Sequence, residues 1–291
     1  MRLSVSLRSQ GITGDQMVER AIAARDAGID GLYVGDHHAI PAGYPQNNVI
    51  LGRILADWPR DIGAVYLLPL WNPVLLAEQV GTLASLAGGR FVVQAALGDG
   101  ESQFAAMGGR LADRVVRFEE ALPLLRRLFA GQEVSSDLFG FNAARIAPVD
   151  SVVFWVAGQS PNAIGRAARL AEGWVAPPGI GDDDAVHLAN DYRRACAAAG
   201  LDPGDIAIRR DVFVGSDSNS ASSMLDHVIS AGYRGFERSM LIAGDVVQVA
   251  RRIAGLRASG FTEVVVRQFV PDQSIAVESI GRMHEVREAL G

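Results

Sequence analysis

The sequence predicts an α/β protein closed into a (β/α)8 barrel, and three observations carry that expectation. Short β-branched runs recur along the chain, segments of helical period separate them, and glycines punctuate helix ends before the next strand. The eight runs fall at 2–7, 31–37, 61–68, 91–97, 151–158, 173–176, 206–214 and 262–269. Strands that alternate with helices run parallel, and their connections cover both faces of the sheet. Such units build either an open doubly wound sheet or a closed cylinder, and a count of eight favours closure.

The helices follow from spacing. In 117–129, Phe118, Ala121, Leu122, Leu125, Leu128 and Phe129 recur at intervals of three and four, which makes one apolar stripe to pack on strands. In "ARDAGIDGLYV", "RACAAAGLDPGDIAI" and "LRASGFTEVVV", Gly28, Gly200 and Gly260 are predicted to cap helices in the left-handed conformation. One irregular stretch, 130–150, intervenes between helix four and strand five. Its "LFGFNAARIAP" reads as a small hairpin, an insertion that either helps cover the barrel mouth or is an ordinary surface excursion. No proline- or serine-rich linker divides the chain, so one domain spanning 1–291 is expected.

Composition excludes several classes of function. Of 291 residues, 49% are hydrophobic and 21% charged, ample for a large core, and the formal charge is 27 − 33 = −6. No cluster of basic residues tracks a phosphate backbone, which argues against a nucleic-acid partner. A lone cysteine, Cys196, makes neither an internal disulfide nor a thiolate metal cage and reads as a helix-packing residue. "MRLSVSLRSQ" holds too short an apolar run for a signal peptide, and nowhere do about eighteen apolar residues follow one another. A cytoplasmic protein without a membrane partner is the expectation.

In such a barrel, chemistry sits at the C-terminal ends of the strands. Strand two runs into "LYVGDHHAI", which brings Asp36, His37 and His38 to the mouth. Neighbouring strand residues point to opposite sides, so the two histidines should not face one ligand. His38 reads as structural; for His37 a structural and a functional role stay open. His187, His227 and His284 fall in helical segments, and no metal site is expected. Strand four ends in "ALGDGESQF", where Gly98 and Gly100, on either side of Asp99, let backbone approach a ligand and Glu101 opens a helix. Glu101 is either an acid-base group or a first-turn acid favoured by the helix dipole. Strand five ends in "VAGQSPNAIGRAARLAEGW". There Gly158 gives clearance, Ser160 suits an N-cap and Pro161 a first helical residue, which makes either a phosphate cradle or simply a well-capped helix. Arg267, near the rim on strand eight, is an anion contact or a salt-bridged surface group, and Trp71 reads as a packed aromatic.

Together "VGDHH", "LPLWNPVLLAEQVGTLASLAGGRFVVQAALGDGESQFAAMG", "RVVRFEEALPLLRRLFAG" and "VAGQSPNAIGRAARLAEGW" resemble, in order and over nearly the whole chain, the bacterial luciferase-like family of flavin- and deazaflavin-dependent oxidoreductases. The resemblance implies a barrel that holds a tricyclic ring at its mouth and exchanges a hydride there with a small-molecule substrate. Asp36 and His37 resemble the acid-histidine pair of the branch that uses coenzyme F420, with the acid on the ring and the histidine near the reacting carbon. Branches that use FMN more often carry a glutamate before the histidines. Gly98, Asp99, Gly100 and Glu101 resemble the segment beside the ring, with Glu101 at an acid-base position, and Gly158, Gln159 and Ser160 resemble the phosphate-binding turn. The family also tends to carry a non-proline cis peptide in strand three, which "GAVYLL" would place near Ala64 and Val65, against the ring. No tryptophan follows the histidines in "HHAIPAGYPQN", a departure from a sugar-phosphate dehydrogenase branch that puts that substrate in doubt. The resemblance further implies a homodimer. The leading expectation is an F420-dependent oxidoreductase; the alternatives are an FMN-dependent monooxygenase and a flavin-binding protein without turnover.

Overall fold

A computed structural model describes residues 1–291. Its strands are β1 (Arg2–Leu7), β2 (Gly31–Val34), β3 (Asp61–Leu67), β4 (Phe91–Ala96), β5 (Val134–Ser136), β6 (Phe141–Ala144), β7 (Val152–Ala157), β8 (Gly173–Ala176), β9 (Asp205–Val214), β10 (Leu241–Gly244) and β11 (Glu263–Gln268). Eight of them pair in parallel in the ring β1-β2-β3-β4-β7-β8-β9-β11, and β11 returns to β1. The barrel is therefore closed. Each of the eight predicted runs becomes one of its strands. Gly28, Gly200 and Gly260 take φ of +73°, +69° and +87°, the left-handed caps that the punctuation predicts.

Two elements depart from the expectation. β10 has no counterpart among the predicted runs. It is only four residues long and pairs with Asp211–Val214, where the ten-residue β9 has outrun β8. It covers an otherwise open strand edge, a need that tertiary structure creates and local sequence does not announce. The insertion does form a hairpin, but its first strand lies upstream of "LFGFNAARIAP", pairing Val134 with Ala144 and Ser136 with Phe141. Ser136 Oγ donates to Glu120, and Arg117 lies 4.4 Å above the ring of Phe139, so the hairpin packs on helix Arg114–Phe129.

The barrel is filled at its base and open at its other end. Inward residues Tyr33, Val92, Trp155, Val175, Ala207 and Val265 form one buried layer, the packed interior that makes such a barrel a core and not a pore. Below them, at the strand starts, charges close the cylinder. Arg2 bridges Glu263 (3.1 Å) and Asp61 (2.6 Å), while Arg90 bridges Asp61 (2.8 Å) and Asp205 (2.9 Å). Tyr33 Oη donates to Glu263 at 2.8 Å, and Trp155 Nε1 to Asp205 at 3.1 Å. Burial pushes the Glu263 carboxyl above its ordinary range against the pull of Arg2 and Tyr33. For Arg90, burial works against the charge, but Asp61 and Asp205 outweigh it and raise the guanidinium pKa. The outer, larger core lies between strands and helices.

Candidate functional site

A cavity of about 270 Å³ opens at the C-terminal ends of the strands, over the filled layer, with Val175 and Val265 in its wall. Alternation along β3 decides which of its residues the cavity sees. Val65 and Leu67 line it, whereas Ala64 and Tyr66 point outward into the helical core. Ala64 is thus not available to touch a ligand in the mouth. Every peptide bond is trans, so the cis bond expected near Ala64 and Val65 is not formed. β3 holds unbroken register with β4 from Ile62 to Leu67, which a trans backbone satisfies residue by residue.

β2 ends at Val34, three residues short of the predicted His37. The reason is Asp36. Its Oδ2 accepts from the backbone N of Leu67 at 2.8 Å and from Trp71 Nε1 at 2.8 Å, so a carboxylate, not the next residue of a strand, satisfies the end of β3. Asp36 is 3% exposed yet borders the cavity, and its Oδ1 lies 3.2 Å from His38 Nε2. His38 is buried and meets Trp71 edge-on at 5.6 Å. His37 is exposed and lines the cavity. Only one of the two histidines thus faces the cavity, as alternation predicts, although the strand has already ended.

Segments distant in sequence meet at Gln103. Its Oε1 accepts from the backbone N of His38 at 2.7 Å and faces His37 Nδ1 at 3.3 Å. An oxygen that already accepts one hydrogen bond favours the His37 tautomer with hydrogen on Nδ1, which leaves Nε2 as a proton acceptor. The edge of Tyr44 braces the same imidazole, ring centroids 5.3 Å apart at 80°. Burial raises the Tyr44 phenol pKa, and Gly35 admits that phenol: a Cβ there would lie 2.1 Å from Tyr44 Oη.

Other predicted residues occupy the rim and not the cavity wall. Gly98 is left-handed at φ +73° beside Leu67 and Phe104. Asp99 and Gly100 follow it, and Glu101, which is exposed, opens helix Glu101–Ala106 and does not line the cavity. Gly158 has φ +149° and accepts from Trp174 Nε1 at 2.8 Å. Gln159 and Ser160 are exposed, and Ser160 Oγ accepts from Ala163 N at 3.2 Å, the predicted N-cap. Ala157, one residue before this turn, lines the cavity.

Several wall residues escaped the sequence reading. Gln94 on β4, Ser6 and Ser9 at the end of β1, Tyr44, Arg209 on β9 and Arg234 all border the cavity, as does Arg267. Tyr44 had a signal, since "HHAIPAGYPQN" carries an aromatic even though it lacks tryptophan. Gln94 and Arg209 had none, being single polar residues inside strand patterns. No group of three or more His, Cys, Asp or Glu side chains is gathered as a metal would require, and no helix is long and apolar enough to cross a membrane.

Comparison with known proteins agrees with this architecture. The chain is 29% identical over 201 residues to an F420-dependent glucose-6-phosphate dehydrogenase of Beutenbergia cavernae, covering 62% of this chain and 58% of that protein. A protein of the same description from Kineococcus radiotolerans is 22% identical over an alignment of 313 positions, covering 94% and 93%. The chain thus spans somewhat over half of the first relative and nearly all of the second. An F420-dependent secondary alcohol dehydrogenase in complex with an F420-acetone adduct superposes with a TM-score of 0.83 at 17% identity, covering all of both chains. The oxygenating constituent of 3,6-diketocamphane monooxygenase from Pseudomonas putida, in complex with FMN, superposes at 0.80 and 17% identity, covering 100% of this chain and 99% of that one. At such identities the superpositions speak for the fold. The sequence model of the luciferase-like monooxygenase family matches residues 1–288, and this chain belongs to that family, whose relatives above are F420- or flavin-dependent oxidoreductases.

Proposed function

We propose that this protein exchanges a hydride between coenzyme F420 and a small organic substrate, with His37 handling the accompanying proton. The observation that carries the reading is the convergence of His37, Val65 and Gln94 on one cavity at the barrel mouth. The wall fits a flat ring with a polar edge. Val65 and Leu67 offer apolar surface, while Gln94 Nε2 is buried without a partner, and buried polar groups call for one. Gln94 would hold the ring's polar edge, and the turns at Gly98–Gly100 and Gly158–Ser160 would hold the rest of the cofactor. When bound, the deazaflavin supplies two-electron hydride chemistry.

The chain's own residues do the remainder. Asp36 fixes the end of β3 beneath the ring site, and Gln103 and Tyr44 orient His37. The tautomer that Gln103 favours presents Nε2 to accept a proton and, once protonated, to return one. Glu101 stands in solvent on the rim and is given no part in this step.

Parallel titrations of the purified protein with F420 and FMN, followed by cofactor fluorescence, test the reading. Tighter binding of F420 is expected, and a clear preference for FMN overturns it in favour of an oxygen-using monooxygenase. The His37→Ala variant should bind F420 within about threefold of wild type while turnover falls about 100-fold or more. Unchanged turnover removes His37 from its role.

A further inference from the structure

The cavity is electrically one-sided. Three arginines line it, Arg209, Arg234 and Arg267, against one carboxylate, Asp36. Asp36 already accepts two hydrogen bonds at Oδ2. The only other acid at that wall is the fully buried Asp211, which Arg209 Nε approaches at 3.3 Å and to which Tyr233 Oη donates at 2.8 Å. Arg234 and Arg267 form no ion pair. Arg209 Nη2 and Arg267 Nε are buried without a partner. This excess of cations stands inside a protein whose formal charge is −6.

Nothing about such a wall favours folding by itself. Burial first, then repulsion from neighbouring guanidiniums, lowers Arg20 behind the wall and Arg209 in it to about 10, with Asp211 opposing for Arg209. Arg234 is also held in the left-handed region, at φ 52° and ψ 11°, where a residue with a Cβ is strained. The chain contains no lysine, so each of these cations is a planar guanidinium suited to two-point contact with a carboxylate or phosphate.

Position says which ligand the wall serves. β9 and β11 are neighbours, with Arg209 in register with Val265, and Arg267 with Asp211. In the eight-strand ring they stand across the barrel from β3 and β4, which present Val65 and Gln94. The turn Gly98–Gly100 follows β4 on that far side, and Gly158–Ser160 follows β7, the strand next to β4. We infer that Arg209, Arg234 and Arg267 form an anion-binding subsite for the substrate, which is therefore an organic acid or a phosphate ester. Its anionic group anchors on the β9–β11 side, and its reacting carbon extends toward His37. This rests on the reading that the opposite side of the same cavity takes the cofactor.

Calorimetric titration of the full chain with inorganic phosphate tests the subsite without any turnover, using wild type, Arg267→Gln and Arg234→Gln. Arg234 is exposed, so its variant should fold even if the change at Arg267 disturbs the barrel. F420 binding is measured in parallel by fluorescence. Phosphate affinity is expected to fall at least tenfold in each folded variant, F420 affinity to stay within twofold, and saturating F420 to leave phosphate bound. No phosphate binding in wild type, or wild-type affinity in both variants, overturns the subsite. Displacement of phosphate by F420, or a tenfold loss of F420 affinity in the variants, reassigns the arginines to the cofactor and overturns the substrate assignment. Arginine-dependent phosphate binding in a protein that fails to bind F420 upholds the subsite while removing the cofactor reading.

Discussion

Asp36 shows how much one side chain can hold. It satisfies a backbone donor at the end of β3 and an indole in the following turn while bordering the cavity. Asp36→Ala should leave both donors unpaired in a buried setting, at about 1–3 kcal/mol for each. Urea denaturation should show that loss, and tryptophan emission should shift as Trp71 loses its acceptor. Wild-type stability in the variant would mean that water replaces the carboxylate at no cost. "GDHH" was legible as a candidate site because titratable groups at a strand end are placed by topology alone. Trp71 and Gln103 were not, because what makes them matter is a hydrogen bond across 35 and 65 residues of chain. Sequence spacing reports neighbours on one element, not partners across a barrel.

At the level of elements, the turn after β7 separates two readings that its sequence left open. Ser160 caps helix Pro161–Leu170 through Ala163 N. Ser160→Ala should cost about 1 kcal/mol from the cap alone. Thermal melts with and without F420 apportion the rest. An equal loss in both states assigns the serine to the helix, while a larger loss with cofactor assigns it to the phosphate turn. Strands and caps were legible because propensity, period and punctuation agreed at each of them. β10 was not, because four residues carry too little pattern and its reason to exist is the overhang of β9.

The whole molecule is tied together by charges as well as by its core. Outside the barrel, Asp182 at the start of helix Asp182–Ala198 bridges Arg210 of β9 at 2.9 Å and Arg252 of helix Val246–Ala258 at 2.6 Å. Burial works to raise the Asp182 pKa, but the Arg252 hydrogen bond and the Arg210 charge outweigh it and leave it below its ordinary 3.8. A carboxyl lowered by folding stabilises the folded state above its unfolded pKa, and that contribution disappears as pH falls through its folded one. Asp182→Asn should therefore melt below wild type at pH 7, and the gap should narrow as the pH is taken under about 3.8. A gap that is constant with pH would show that the carboxylate's charge is not what joins these elements. Long-range bridges of this kind had no sequence signature, whereas the eight-unit barrel they brace had a clear one.

The charged floor formed by Arg2, Asp61, Arg90, Asp205 and Glu263 has a kinetic corollary. A well stopped at its bottom has one doorway, so two molecules that share it must queue.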